Sequence, residues 1–557
     1  MHIGFAQLLS RRSALRLLGS SATLALLAAC APLAPAPSQP TTAPQAPAPT
    51  PAPTSASVQA AASAQTPAPA TSSQPRRGGT LRAGMVGDVG AISPHTIGPQ
   101  PLQTIFSIWD RLIAYDAAGK PQPMLAESWD FSSDQTKLQF KLRSGVQFHS
   151  GRELTSEDVK WNLLRVRNPA VNATQFNKQS QWFTNIDTSD KYAVVLTLDR
   201  SRPSILDFFE LFNIGDSETL DPPSGVAQRW IGTGPFTLAE YVIGDHLNFS
   251  RNENYWRSDR PLLDEFNVSL MRDGSAASVQ LETGALDLVF DPPAPDVTRW
   301  TGDSHFGVYI NDKSGITGIM NMNTSVPPTN NKLFRQAVHY AIDRNRYVTT
   351  ILRNRGQSRS LPWTNTSPAY DAAKNQHFTF DLDKAKSLIA ASGVSTSEPI
   401  DFVFLSTEPP VGAGQLAQIV QGDLKSIGVT LNLRNIEFAA LADTMNNLKY
   451  TVAYDAVFRY GEFEPSTGMT TSAQYNYEKN FAGFKDDQYT QLITSLQVEP
   501  DVAKRQALYA QLNDYLLDQC FSMPLASNPP VIATSSKVHD VGWNAHDQLQ
   551  HDQLWLG

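Results

Sequence analysis

Cysteine is nearly absent, and two cysteines in 557 residues exclude a disulfide framework. Cys520 lies among apolar neighbours in LLDQCFSMPL and reads as a buried, inert thiol rather than a nucleophile. Catalytic signatures are missing too. There is no G-x-S-x-G elbow, no H-E-x-x-H pair, no phosphate loop ending in GKS or GKT and no cysteine cluster. The 10 histidines are scattered. His546 and His551 fall five positions apart, off the i, i+4 spacing of a helical zinc pair, and His339 reads as a helix-surface residue. Carboxylate pairs are easy to find among 53 acids, so none by itself argues for a glycosidase. Bases are in deficit. Arg11, Arg12 and Arg16 are the only charged residues before position 30, which leaves 42 bases against 53 acids in the remainder. Such a body is a poor nucleic-acid binder, because phosphate contacts need clustered Lys and Arg. Enzyme is the losing class, and neither a cofactor nor a metal site is expected.

What the chain does contain begins at its N-terminus. Ser10-Arg11-Arg12 with Leu15 and Arg16 resembles a twin-arginine export motif, with Ala14 where an aromatic is usual. An apolar segment from Leu15 to Ala29 is too short to cross a membrane and suits a signal-peptide core. Leu27-Ala28-Ala29-Cys30 matches a bacterial lipobox, which makes Cys30 the expected lipidation site. A general export signal with an incidental cysteine is the alternative, and the export route stays open. Residues 31–75 are Pro, Ala, Thr, Ser and Gln with single Leu and Val residues and no charged side chain. Such a segment cannot bury enough apolar surface to order itself, so a partly polyproline-like tether is expected, about 140 Å long at roughly 3.1 Å per residue.

The folded body is expected from Gly78-Gly79-Thr80-Leu81, with a short strand and a Gly-rich loop from Gly84 to Pro94. In the stretch 123–165, Leu138, Phe140 and Leu142 alternate with Lys137, Gln139, Lys141 and Arg143, the pattern of a half-buried strand. Ser144-Gly145 turns the chain, and Val146 with Phe148 is read as a second short strand. Thr155 fits a helix N-cap answered by Asp158, and Val159, Leu163 and Val166 share a helical face. Further on, Asp383 is read as the cap of a helix that stops at Gly393. Strands at 400–404 and 429–433 flank a helix at 414–427, an order that argues a mostly parallel sheet.

LAESW, then LRSGVQFHSG, then LTSEDV together resemble the signature of the family 5 extracellular solute-binding proteins, the dipeptide-, oligopeptide- and nickel-binding components of ABC importers. IGTGPFTLAEYVIGDHLNFSRNENYW, LETGALDLVF and NMNTSVPPTNNKLFRQAVHYAIDRNRYV resemble further family segments in the same order. The resemblance implies an α/β, two-lobed type II periplasmic-binding-protein fold with an additional inserted small domain. It implies a first lobe from residues 78–115, 226–315 and 527–557, an inserted domain at 116–225 and a second lobe at 316–526. It implies capture of a peptide-like solute in an interlobe cleft and delivery to an ABC permease by a monomer anchored through lipid. An oligosaccharide, a sugar acid or a metal chelate is the alternative ligand, and a secreted hydrolase or envelope assembly protein the alternative class.

The resemblance also nominates ligand-binding residues. Gly87 and Asp88 lie in the loop that lines the family's cleft. TVAYDAVFRYGEFEPSTGM resembles the segment in which a strand ends in Gly-Trp and an Asp follows, the partner of a peptide's α-ammonium group. Here Arg459 or Phe458 stands at the Trp position, and Glu462, with a one-residue gap, stands for the Asp. Arg459 would suit a ligand carboxylate. Trp363, Tyr460 and Phe463 would stack on ligand rings, with ordinary packing as the alternative, and Arg359 in GQSRSLPW resembles a carboxylate-binding loop.

Overall fold

The computed structural model describes residues 74–90, 92–95, 102–221, 230–405 and 412–557. The signal segment, Cys30 and the tether to position 73 lie outside the described residues.

Three large sheets organise the body. Seven strands lie in the spatial order Phe306–Ile310, Val531–Ser535, Leu288–Phe290, Thr80–Val86, Glu265–Met271, His246–Arg251 and Phe236–Val242. Five lie in the order Leu431–Asn435, Ile400–Phe404, Val452–Phe458, Thr317–Met322 and Ser522–Ser527. Each is covered by helices around its own apolar core, giving two α/β lobes. A smaller antiparallel sheet of Ala126–Phe131, Lys137–Leu142, Ala193–Leu198 and Phe183–Asp187 carries a third core, that of the inserted domain. Burial follows the sequence pattern. Lys137–Leu142 alternates exposed and buried, so one face is wet, whereas every residue of Thr317–Met322 and Ser522–Ser527 is buried, as in strands covered on both faces.

Four sequence expectations are corrected. Both lobe sheets are mixed, because their parallel pairs, such as Thr80–Val86 with Glu265–Met271, are flanked by antiparallel ones. Val146–Phe148 is not a strand; only an isolated bridge joins Gln147 to Glu153. The helix Leu382–Ser392 is capped by Asp381, which accepts from Lys384 N at 2.9 Å, and not by Asp383. His339 is buried, because its helix Lys332–Ala341 is covered on more than one side: Phe378 lies 4.5 Å from its ring, and Arg344 donates to its Nδ1 at 3.2 Å.

Two adjacent crossings join the lobes. Phe306–Ile310 in one sheet continues through 311–316 into Thr317–Met322 in the other, and Ser522–Ser527 returns through 528–530 to Val531–Ser535. Asn311 N donates to Pro530 O at 3.2 Å, and Asn528 N to Ile316 O at 2.9 Å, so the crossings are pinned to each other.

The helix Ser156–Arg165 starts at Thr155, whose backbone N–H donates to Asp158 Oδ2 at 3.0 Å. Asp158 is buried and also accepts from Arg152 Nη1 at 3.0 Å and Ser217 Oγ at 2.7 Å, while Arg152 reaches on to Asp216. Removing a carboxylate from such a network strips a largely enclosed guanidinium of a partner, at a cost of about 3 kcal/mol. Asp158→Ala should therefore lower the melting temperature by several degrees in a calorimetric scan, whereas Asp130→Ala, exposed on the strand Ala126–Phe131, should leave it within about one degree.

Candidate functional site

The strand Val452–Phe458 ends with Phe458, which is fully buried against Trp363 and Tyr475. That anchor fixes the departure of Arg459-Tyr460-Gly461-Glu462-Phe463, which ends at the helix Pro465–Thr471 with Glu464 as its N-cap. Glu462 is 7% exposed, and neither carboxylate oxygen has a well-aligned hydrogen-bond donor. A Cβ added at Gly315, in the first crossing, would stand 1.6 Å from Glu462 Oε2, so the carboxyl fills the space that any side chain at 315 needs. His546 Nδ1, from the C-terminal segment packed under the seven-stranded sheet, lies 3.1 Å from Oε1. A cavity of about 30 Å³ adjoins Glu462, bounded by Asn311, Lys313, Thr366 and Asn544, with room for a water or two.

The surroundings set the charges. Burial pushes the Glu462 carboxyl up to about 8, against the pull of the Arg359 and Arg459 guanidiniums. Burial also pushes Asp547 up to about 7, reinforced by Glu462, and His546 down to about 4. At neutral pH, Glu462 and His546 are therefore a protonated acid beside a neutral imidazole. Asp547 accepts from Asn311 Nδ2 at 2.6 Å and Ser314 Oγ at 2.9 Å, tying the C-terminal segment to the first crossing.

A second contact joins the inserted domain to the second lobe. Asp207 accepts from Tyr115 Oη at 2.7 Å, from Thr467 Oγ1 and from Glu464 N at 3.3 Å, and burial pushes its carboxyl up to about 7. Neighbouring Glu210 is held by Arg111 through two hydrogen bonds of 3.1 and 3.0 Å.

The residues nominated from sequence divide. Arg459 and Tyr460 are partly exposed, and Arg459 has no hydrogen bond or ion pair with its side chain among the described residues. Arg359 is buried; its Nη1 donates to Thr317 Oγ1 at 2.7 Å, and burial lowers it to about 10. Trp363 is corrected to a packing residue, because it is wholly buried and its Nε1 donates to Asn513 Oδ1 at 2.7 Å. Phe463 is likewise corrected, since it is 1% exposed and inserted into the inserted domain's core, edge-on to Tyr115 and 4.5 Å from the His546 ring. Asp88 accepts from Tyr241 Oη at 2.5 Å and from Gly244 N at 2.7 Å, and with Gly87 at φ 85° it latches the loop to a hairpin of its own lobe. The roles of His546 and Asp547 beside Glu462 and the first crossing were missed, because nothing adjacent to them in sequence marks them and only the tertiary fold brings them there. A separate cavity of about 210 Å³ near Asp110, Arg257 and Asp552 receives no residue from the second lobe, so closure of the lobes does not enclose it.

The sequence profile of the bacterial extracellular solute-binding proteins, family 5 Middle, matches residues 120–480. The chain belongs to family 5. Heme-binding protein A of Haemophilus influenzae is 25% identical over 60% of this chain and 65% of its own length, a little under two thirds. The nickel-binding periplasmic protein of Escherichia coli is 24% identical over 79% of this chain and 87% of its own. In fold, the chain is similar to the ABC transporter-associated periplasmic binding protein DppA from Helicobacter pylori in complex with peptide STSA. The TM-score is 0.76 at 22% identity, covering 86% of this chain and 98% of that one. The relatives are binding proteins; in this chain the Glu462 contact joins the loop after Val452–Phe458 to the first crossing and the C-terminal segment.

Two outcomes follow from this contact. Glu462 is raised from an ordinary 4.5 to about 8, so its contribution to the folded form is complete below about 4.5 and lost as pH rises towards about 8. His546 acts oppositely, since its lowered value removes stability as pH falls below 6.5. Between pH 6.5 and 8 the melting temperature should therefore fall, and Glu462→Gln should flatten that slope by about one proton; an unchanged slope in the variant contradicts the assignment. Gly315→Ala should destabilise the folded form by colliding with Glu462, and Glu462→Ala in the same chain should restore most of the loss, read by thermal denaturation.

Proposed function

We propose that this family 5 protein is an exported, lipid-anchored receptor that encloses a peptide-like solute between its lobes and hands it to the permease of an ABC importer. The observation that carries the reading is the pair of pinned crossings, which leave the lobes free to close as units over the loop 459–463. The Helicobacter relative bound to a peptide supports the solute class. In this reading the first lobe comprises residues 78–115, 226–315 and 527–557, the inserted domain 116–225 and the second lobe 316–526. Cys30 carries the lipid, residues 31–77 form the tether, and the receptor is a monomer that binds without turning its solute over. Among the described residues no helix is long and apolar enough to cross a membrane, so in this reading attachment rests on the lipid.

A sugar acid or a carboxylate-bearing metal chelate is the second reading, favoured by Arg459, whose side chain has no hydrogen-bond partner among the described residues, in place of the family's aromatic; the nickel-binding relative is in keeping with a chelate. Native mass spectrometry of freshly purified protein tests both. A retained short peptide is the expected result, and a retained chelate or sugar acid replaces it with the second reading. No retained mass, together with no melting shift across peptides, oligosaccharides and chelates, overturns capture. Turnover of any of these compounds points to a hydrolase instead.

A further inference from the structure

We infer that the cavity of about 210 Å³ beside Asp110 is a second ligand site, outside the interlobe cleft, for a small organic cation: a primary ammonium on a compact aromatic body. All residues that line it fall within 106–124, 235–257 and 544–553, and none within 316–526. The site is therefore complete without the second lobe, and it stands or falls apart from capture.

Size and lining select the body of the ligand. An apolar cavity of about 150 Å³ takes a benzene ring, so this one has room for a six-membered ring with a short side chain. Trp109 and Tyr255 are buried in its wall, with Met124 and Leu549 also lining it. One cation already lies on this wall, since the Arg111 guanidinium stands 4.0 Å from the centroid of the Phe106 ring. Gln122 and Pro123 are exposed, which marks the mouth.

Charge selects the head group. Asp110 is 2% exposed, and its carboxylate accepts from Trp256 Nε1 at 2.9 Å, Thr233 Oγ1 at 3.1 Å and Tyr255 Oη at 3.4 Å. All three donors are neutral. The guanidiniums in the wall are already matched, Arg111 by Glu210 at 3.0 Å and Arg257 by Asp552 at 3.4 Å. Asp116, nearer the mouth, accepts from Lys120 N at 3.0 Å and feels the Lys120 ammonium. Asp110 is thus a buried carboxylate whose bonded partners carry no charge, the condition that a bound ammonium relieves. Its Oδ1 has the room, because the donor there lies at 3.4 Å. Burial pushes Asp110 up to about 6, against the pull of Trp256 and Arg257. His551, also in the wall, is lowered by burial to about 3 and stays neutral at that pH. A bound ammonium favours the ionised carboxylate, so affinity should fall as pH drops through about 6.

Calorimetric titration of the full chain with benzylamine and its neutral counterpart benzyl alcohol tests the site. At about pH 7.5 benzylamine should bind about 10- to 100-fold more tightly than the alcohol, and the preference should shrink towards about pH 5. Asp110→Asn keeps one oxygen for Trp256 and Thr233, while the Tyr255 hydroxyl can turn to accept, so the variant should fold. It should bind the amine and the alcohol equally. Ala114→Leu, which occupies part of the cavity and alters no hydrogen bond of Asp110, should weaken benzylamine about 10-fold. Unchanged benzylamine affinity in Ala114→Leu puts the compound elsewhere, the interlobe cleft included, and overturns the site. So does equal affinity of the wild type for amine and alcohol, or no binding of benzylamine at all. Each of these failures leaves capture between the lobes untouched.

Discussion

An uncompensated carboxyl at the meeting of two lobes is the constraint on which the rest of this structure turns. Burying an ionised carboxylate without a donor costs several kcal/mol, and Glu462 escapes that cost by keeping its proton beside a neutral imidazole. The space for it exists only because residue 315 lacks a side chain. Gly315 belongs to a crossing that Asp547 also holds, through Asn311 and Ser314. One short segment therefore serves as connection, socket and anchor for the C-terminal tail.

The inserted domain is attached by the same physics. Asp207 is buried at its junction with the second lobe but receives three hydrogen bonds, and Phe463 supplies an apolar plug beside it. Asp207, with three donors, therefore meets this loop only two residues beyond Glu462, whose carboxyl has no well-aligned donor among the described residues. The Asp207 contact is satisfied and specific.

The scaffold was legible locally, and the site was not. Alternation in Lys137–Leu142 and the Thr155–Asp158 cap depend on neighbours within a few residues, and those rules carried through. The strands either side of the helix at 413–425 do pair in parallel, but the sheet as a whole is mixed because Thr317–Met322 pairs antiparallel with both Val452–Phe458 and Ser522–Ser527. Trp363 and Phe463 read as ligand-facing because they are aromatics in or beside loops; their burial is decided by Asn513 and Tyr115, far away in sequence. His546 meets Glu462, and Asp547 meets Asn311 and Ser314, across separations that no local pattern encodes.

The seven-stranded sheet places Thr80–Val86 beside Leu288–Phe290, which in turn pairs with Val531–Ser535. A chain synthesised from its N-terminus thus makes the opening strand of the first lobe some 450 residues before the strand that completes the sheet. The second lobe has its strands closer together in sequence, from Thr317 to Ser527, so it has the lower contact order and the shorter wait. Assembly order is therefore written into the topology. The first lobe's sheet is complete only once residues 531–535 have been made, whereas every strand of the second lobe's sheet precedes them.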